Sequence, residues 1–340
     1  MMKYILNIIL FTLFIFLKVY GQDIHFSQYY ASPLLLNPAM TGHFDGDYRV
    51  GLIYRNQWSS FTVPYVTYSG FFDRKINKEI IKDDFLGVGL VLYSDKSGIA
   101  ELTTQTATAS FAYHKRIGAD ARHLVSLGIE AGIVQKSVNY DDLRFHNQYE
   151  SVFYKPELES GEIYSSNSFL YPNIHIGGLW NYLYDERLKI FSGLSLFNLT
   201  TPNESFYEAD NNSLNMRCLF NAGAIYDLNE KTTLLPEFLF AGQTKDKEFL
   251  IGSNALYNLK KSPVLNVSLV FGAWYRVSDA IILVPGIVYN NYKFAFSYDI
   301  NVSSLRAASN GKGAFEFSLI YLFNANPKLG IKTSVPCKRL

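Results

Sequence analysis

Between residues 264 and 277 the odd positions are all apolar: Leu265, Val267, Leu269, Phe271, Ala273, Tyr275 and Val277. The even positions include Asn266, Ser268, Gly272 and Arg276, with Val270 and Trp274 as exceptions. A period of two marks a strand whose faces meet different surroundings. The pattern recurs at 123–135, where Val125, Leu127, Ile129, Ala131 and Ile133 alternate with Ser126, Gly128, Glu130 and Gly132, and again at 292–300 and 314–323. Followed along the chain, it predicts fourteen strands, at 47–58, 65–73, 85–95, 102–116, 123–138, 171–184, 187–198, 215–228, 232–243, 247–258, 264–277, 280–290, 292–300 and 314–323. Most are long enough to cross a bilayer when tilted, which takes roughly 9–11 residues, whereas soluble strands run to about 5–6. Pro236 and Pro285 fall inside two of them and are expected at bulges or lost ladder bonds. No amphipathic helical pattern competes.

The connections carry a second signal. Outer-membrane barrels have an even strand number, short periplasmic turns and longer outer loops. With the N-terminus on the periplasmic side, odd-numbered connections face out, and the three longest, 139–170, 199–214 and 301–313, are all odd. The even ones at 185–186, 229–231, 259–263 and 291 are tight; 74–84 is an exception. A soluble sandwich has no reason to sort loops by parity. Tyr and Trp near strand ends, such as Trp58, Tyr93, Tyr184, Tyr257, Trp274 and Tyr289, fit a headgroup girdle.

Composition narrows the class. The apolar run from Ile5 to Leu17 behind Lys3 has the length of a secretory leader, with Val19 and Gly21 preceding a cut before Gln22. Tyr and Phe number 25 and 26, and the formal charge of +1 offers no basic field for nucleic acid. Two cysteines, Cys218 and Cys337, rule out a disulfide-stapled scaffold. The six histidines lack metal-ligand spacing, and no nucleophile elbow or phosphate loop appears, so neither an enzyme nor a cofactor is expected. Gly87-Val88-Gly89 lies within a strand, where glycine serves close packing more often than phosphate binding.

Two segments flank the predicted barrel at 47–323: residues 22–46, apolar and broken by Pro33 and Pro38, and a basic periplasmic tail at 324–340. A fourteen-stranded lumen is too wide for its own side chains to fill, since about eight strands mark that limit. The stretch 32–42 is therefore expected to fold into the periplasmic mouth as a plug, with Arg49 and Arg55 its contacts, or else to dock on a periplasmic partner. Placing Val50 and Leu52 toward lipid turns Arg49, Arg55 and Gln57 inward; Asp73, Glu130, Asp227, Glu237, Arg276, Asp299 and Glu316 also fall on polar faces. Such charges either brace the lumen or line a solute path, because unpaired buried charge is costly.

Several strings stand in order: Asp23-Ile24-His25-Phe26-Ser27-Gln28-Tyr29, then Asn37-Pro38-Ala39-Met40-Thr41-Gly42, then Tyr54-Arg55-Asn56-Gln57-Trp58. Ser297-Tyr298-Asp299-Ile300-Asn301 and Glu316-Phe317-Ser318-Leu319 follow, with Cys337 in the tail. Together they resemble the PorP/SprF family of type IX secretion, although Leu340 replaces that family's usual final aromatic. The resemblance implies an integral outer-membrane barrel of secretion or gliding. Its implied partners are membrane lipid and secretion components, together with a large secreted adhesin or a peptidoglycan-binding lipoprotein. Asn37, Pro38, Ala39 and Gly42 become the plug motif, and Arg49, Arg55, Gln57, Asp299 and Glu316 its lumen-facing counterparts. Asn-Pro-Ala is also similar to a string in fatty-acid-transporter-like barrels, which supplies a rival function: uptake of a small or apolar solute.

Overall fold

A computed structural model describes residues 25–60, 62–76, 84–118, 120–150, 152–162, 166–206, 212–262 and 265–324. The expected leader at 1–21, residues 22–24 and the tail from 325 onward, with its lysines and Cys337, lie outside the described residues. Among the described residues fourteen antiparallel strands close into a barrel. In chain order they are β1 (Tyr48–Gln57), β2 (Tyr65–Ile76), β3 (Phe85–Ser97), β4 (Leu102–Ile117), β5 (His123–Ser137), β6 (Ser168–Leu183) and β7 (Leu188–Phe197). They continue with β8 (Arg217–Asp227), β9 (Thr232–Gln243), β10 (Asp246–Lys261), β11 (Asn266–Arg276), β12 (Ala280–Tyr289), β13 (Tyr292–Asn301) and β14 (Lys312–Phe323). Each strand pairs with its sequence neighbours, and β1 against β14, from Tyr48↔Phe323 to Gln57↔Ala314, shuts the ring. Both chain ends of the barrel therefore emerge at one rim. By the rule of short periplasmic turns, the rim bearing connections 138–167 and 198–216 is the cell-surface side.

The alternation sorts side chains as the sequence pattern expects. Leu52, Leu90, Leu92, Leu127, Ile129 and Phe271 stand exposed on the outer wall, where hydrocarbon is their natural solvent. Tyr184, Tyr257 and Tyr289 are exposed near strand ends. Tyr93 and Trp274 depart from the expected girdle. Tyr93 shares an inward rung with Ser69 and Thr106, and Trp274 is buried, so neither ring reaches a headgroup. The long 74–84 connection also shortens, because β2 runs on through Ile76 in register with Leu86. At Pro236 the ladder to β8 skips from Gly223↔Glu237 to Tyr226↔Leu234. At Pro285 the ladder to β13 skips from Leu283↔Tyr298 to Gly286↔Ala295. A ring nitrogen without a proton accounts for both gaps.

Candidate functional site

Residues 26–42 are almost wholly buried, and their partners lie all round the ring, from β1 and β2 through β6 and β7 to β11, β13 and β14. A segment touching opposite walls of a barrel runs through its lumen. Three short turns carry it: Tyr29–Ala31, Pro33–Leu36 and Pro38–Met40. Proline at the first position of the second and third suits the fixed φ of its ring.

Toward the outer rim, Ser27 and Gln28 enter a cage of charge. Glu316 accepts both their backbone N–H groups, at 2.7 and 2.8 Å. The Ser27 hydroxyl donates to Asp299 at 2.7 Å and accepts from Arg55 at 2.8 Å and Arg276 at 2.6 Å. Arg55 also pairs with Glu316 at 2.5 Å, and Arg276 with Asp299 at 3.3 Å and Glu248 at 3.1 Å. Gln57 accepts from Arg55. Two cations and three carboxylates thus compensate one another around a backbone that supplies two more donors. Such mutual compensation is what buried charge requires. One turn on, Tyr30 stacks on Trp274 at 5.6 Å and Tyr29 meets it edge-on. The two even-face exceptions of the 264–277 pattern, Val270 and Trp274, are thus buried apolar residues on the lumen side, with Trp274 packing directly on the segment. The Tyr29 hydroxyl donates to Glu237 at 2.8 Å. Burial and that carboxylate raise its pKa well above the usual tyrosine value.

At the centre lies Asn37-Pro38-Ala39. Asn37 is extended, at φ −160, and its Oδ1 accepts from Ala39 N–H to cap the following turn. Its amide nitrogen donates to the carbonyls of Gly178 at 2.9 Å and Leu194 at 3.4 Å, fastening the cap to β6 and β7. Ser195 donates to the Leu36 carbonyl beside it. The wall is recessed here. Gly87, Ala112, Gly128 and Gly177 share one rung across β3 to β6. A Cβ on Gly87 would run into the Thr41 carbonyl, one on Gly128 into Pro38, and one on Gly177 into Asn37 Oδ1. The glycines make a trough the width of the segment.

At the periplasmic rim Gly42 has φ +75, left-handed backbone that favours glycine. A Cβ there would also strike Gly87. Its N–H donates to Asp73 at 2.7 Å, and Arg49 grips the same carboxylate with two nitrogens and reaches the Met40 carbonyl at 3.1 Å. His114 Nε2 donates to the Thr41 carbonyl, so its Nδ1, if the ring is neutral, accepts from Ser126. His43 stacks on His114, and burial holds its pKa well below 6.5.

The residues singled out in the sequence fall into three groups. Asn37, Pro38, Ala39 and Gly42 meet the glycine trough; Arg49 holds Met40; Arg55, Gln57, Asp299 and Glu316 gather higher up, around Ser27 and Gln28. Arg55 therefore contacts Ser27 rather than the 32–42 stretch, because the segment climbs past the periplasmic mouth into the outer half. Sequence reasoning missed Ser27, Gln28, His114 and the trough glycines as partners of the segment, although Gly87 and Gly89 were expected to admit a close neighbour. A cavity of about 1080 Å³ is bounded mainly by outward-facing residues such as Leu52, Leu92, Ile133 and Phe317. It belongs to the lipid side of the wall and not to this site.

The type IX secretion system membrane protein PorP/SprF family matches residues 18–321. The chain belongs to that family. One solved structure agrees on the architecture at a TM-score of 0.50, and two others give lower scores. The toluene transporter TbuX of Ralstonia pickettii superposes with a TM-score of 0.50 at 9% identity, covering 86% of this chain and 92% of its own. A Pseudomonas aeruginosa FadL homologue gives 0.49 at 9%, covering 86% and 94%. The CymD monoaromatic hydrocarbon channel gives 0.48 at 13%, covering 86% and 93%. At 9% identity the likeness to TbuX concerns fold alone. No curated protein matches the chain. As a PorP/SprF barrel with its apolar belt outward, the protein is integral to the outer membrane.

Proposed function

We propose that this PorP/SprF barrel is a closed, non-enzymatic component of type IX secretion or gliding, which helps secrete or attach a surface protein and passes no solute at rest. The observation that carries the reading is the segment His25–Gly42, seated along the lumen by Glu316, Asn37 and Asp73 in turn. A passive channel for apolar solutes needs a continuous bore, and here the bore is occupied by the chain's own backbone. The same barrel stripped of the segment would be a wide aqueous pore, so the segment acts as a plug and leaves the outer loops and periplasmic rim as the working surfaces. Partners in this reading are secretion components, a large secreted adhesin at the outer rim, and a peptidoglycan-binding lipoprotein at the inner one.

Affinity purification of the full chain from the native outer membrane, paired with solute-flux measurements in liposomes, tests this. A secretion or attachment role predicts a co-purifying surface protein and flux no greater than that of empty liposomes. Rapid uptake of small apolar solutes by the purified barrel, with no partner retained, would favour the transporter.

A further inference from the structure

Among its described residues the outer connection 138–167 is built rather than slack. Phe145 N–H donates to the Gln148 side chain at 3.0 Å, Gln148 Nε2 to the Leu158 carbonyl at 3.2 Å, and Lys155 N–H to the Gln148 carbonyl at 2.8 Å. These bonds fix a two-rung hairpin, Tyr149–Glu150 against Phe153–Tyr154, with the two tyrosine rings 5.5 Å apart. What the scaffold holds out is apolar: Val152 is 79% exposed and Phe153 73%. Keeping such side chains in water forgoes the free energy of burying them, and a pliant loop would fold them inward. Meanwhile the cations of the loop are engaged. The Arg144 guanidinium lies over the Tyr154 ring at 4.8 Å, and Lys155 pairs with Glu150. Glu157, Glu159 and Glu162 stay exposed beside it. The chain as a whole carries a formal charge of +1, so this acidity is a local property of the loop.

We propose that the hairpin is a docking knob for a cationic polypeptide. Phe153 and Val152 enter an apolar pocket on the partner, while Glu157, Glu159 and Glu162 meet lysines or arginines around it. The charge selects the partner and steers its approach; the aromatic tip anchors it. The proposal rests on the attachment reading in one respect: the partner is then the surface protein held outside the cell.

The full-length protein in nanodiscs of zwitterionic lipid is titrated, by fluorescence anisotropy, with two synthetic peptides of identical apolar pattern, one alternating Lys with Leu and the other Glu with Leu. The Lys/Leu peptide binds and the Glu/Leu peptide does not. V152S/F153S weakens binding by about tenfold, the loss of an anchor. E157Q/E159Q/E162Q weakens it and flattens its dependence on salt between about 0.05 and 0.5 M. Both variants still shift on gels with heating, as folded barrels do. Equal binding of the two peptides would overturn the proposal, as would full binding by V152S/F153S. So would a loss of self-association in V152S/F153S by sedimentation, which would make the knob a contact between copies. If V152S/F153S loses the peptide while cells keep their surface proteins, the docking surface stands and the attachment reading falls.

Discussion

Asn37 does with one amide what needs two groups in most capped turns: its oxygen caps the chain behind it and its nitrogen fastens that chain to two strands. Glycine at 128 and 177 is the other half of the fit. Gly177→Ala should therefore destabilise the barrel by about 1–3 kcal/mol through overpacking. Gly178→Ala, next in sequence but with nothing closer than 3.8 Å to its new Cβ, should stay within about 0.5 kcal/mol. Urea titration of the two refolded variants checks this, and equal losses would place the segment elsewhere. A second residue-scale expectation follows from the histidines. His25 feels the charges of Glu248, Arg276, Arg55 and Arg217, and His43, stacked on His114, those of Arg49, Lys75 and Lys189; burial is the main cause of both lowered pKa values, with His25 at about 4. Above pH 6.5 both imidazoles are neutral whether the segment is seated or free. Below 6.5 the free segment takes up protons while the seated one resists, so stability is lost as pH falls from there toward 4. Amide protection at Ser27 and Gln28, corrected for intrinsic exchange, should drop between pH 7 and 5. H25Q/H43Q should flatten that drop; an equal drop in the variant would assign it to other groups.

At the scale of the strand, alternation is the governing rule, and a charge on the wrong face tests it. Phe271 stands 59% exposed on β11. Phe271→Arg should cost about 2–4 kcal/mol if it sits at mid-bilayer, while Phe271→Leu should be close to neutral; refolding titrations in lipid measure both. An Arg tolerated as well as Leu would take residue 271 out of the hydrocarbon. The same rule explains what could be read in advance. The strands of 264–277 and 123–138 were legible because lipid and lumen impose opposite polarities on adjacent side chains, and Pro236 and Pro285 announced their lost ladder bonds by chemistry alone. Trp274 was misread because an aromatic near a strand end suits either a headgroup or a packed lumen, and only the contact with Tyr29 and Tyr30 tells them apart. The site was legible in part. Arg55, Asp299 and Glu316 could be turned inward from the period of two, but their meeting at Ser27 depends on barrel closure and on how far the N-terminal chain climbs, which no local pattern encodes.

Across the whole molecule, three consecutive fastenings hold one segment along the lumen: a charged cage near the outer rim, a glycine trough at the centre and an Asp73–Arg49 clamp at the periplasmic rim. No one of them spans the bore, and in the function proposed above they together keep the lumen shut. That closure separates a barrel that works through its surfaces from one that works through its bore. Single-channel recording in planar bilayers decides between them, comparing the full chain with a variant in which residues 32–42 are replaced by a Gly/Ser linker of equal length and whose folding is confirmed by heat-dependent gel shift. A closed lumen predicts a silent full chain and a stable, large conductance in the linker variant. A full chain that already conducts as widely as the variant, or a folded variant that stays silent, would contradict it.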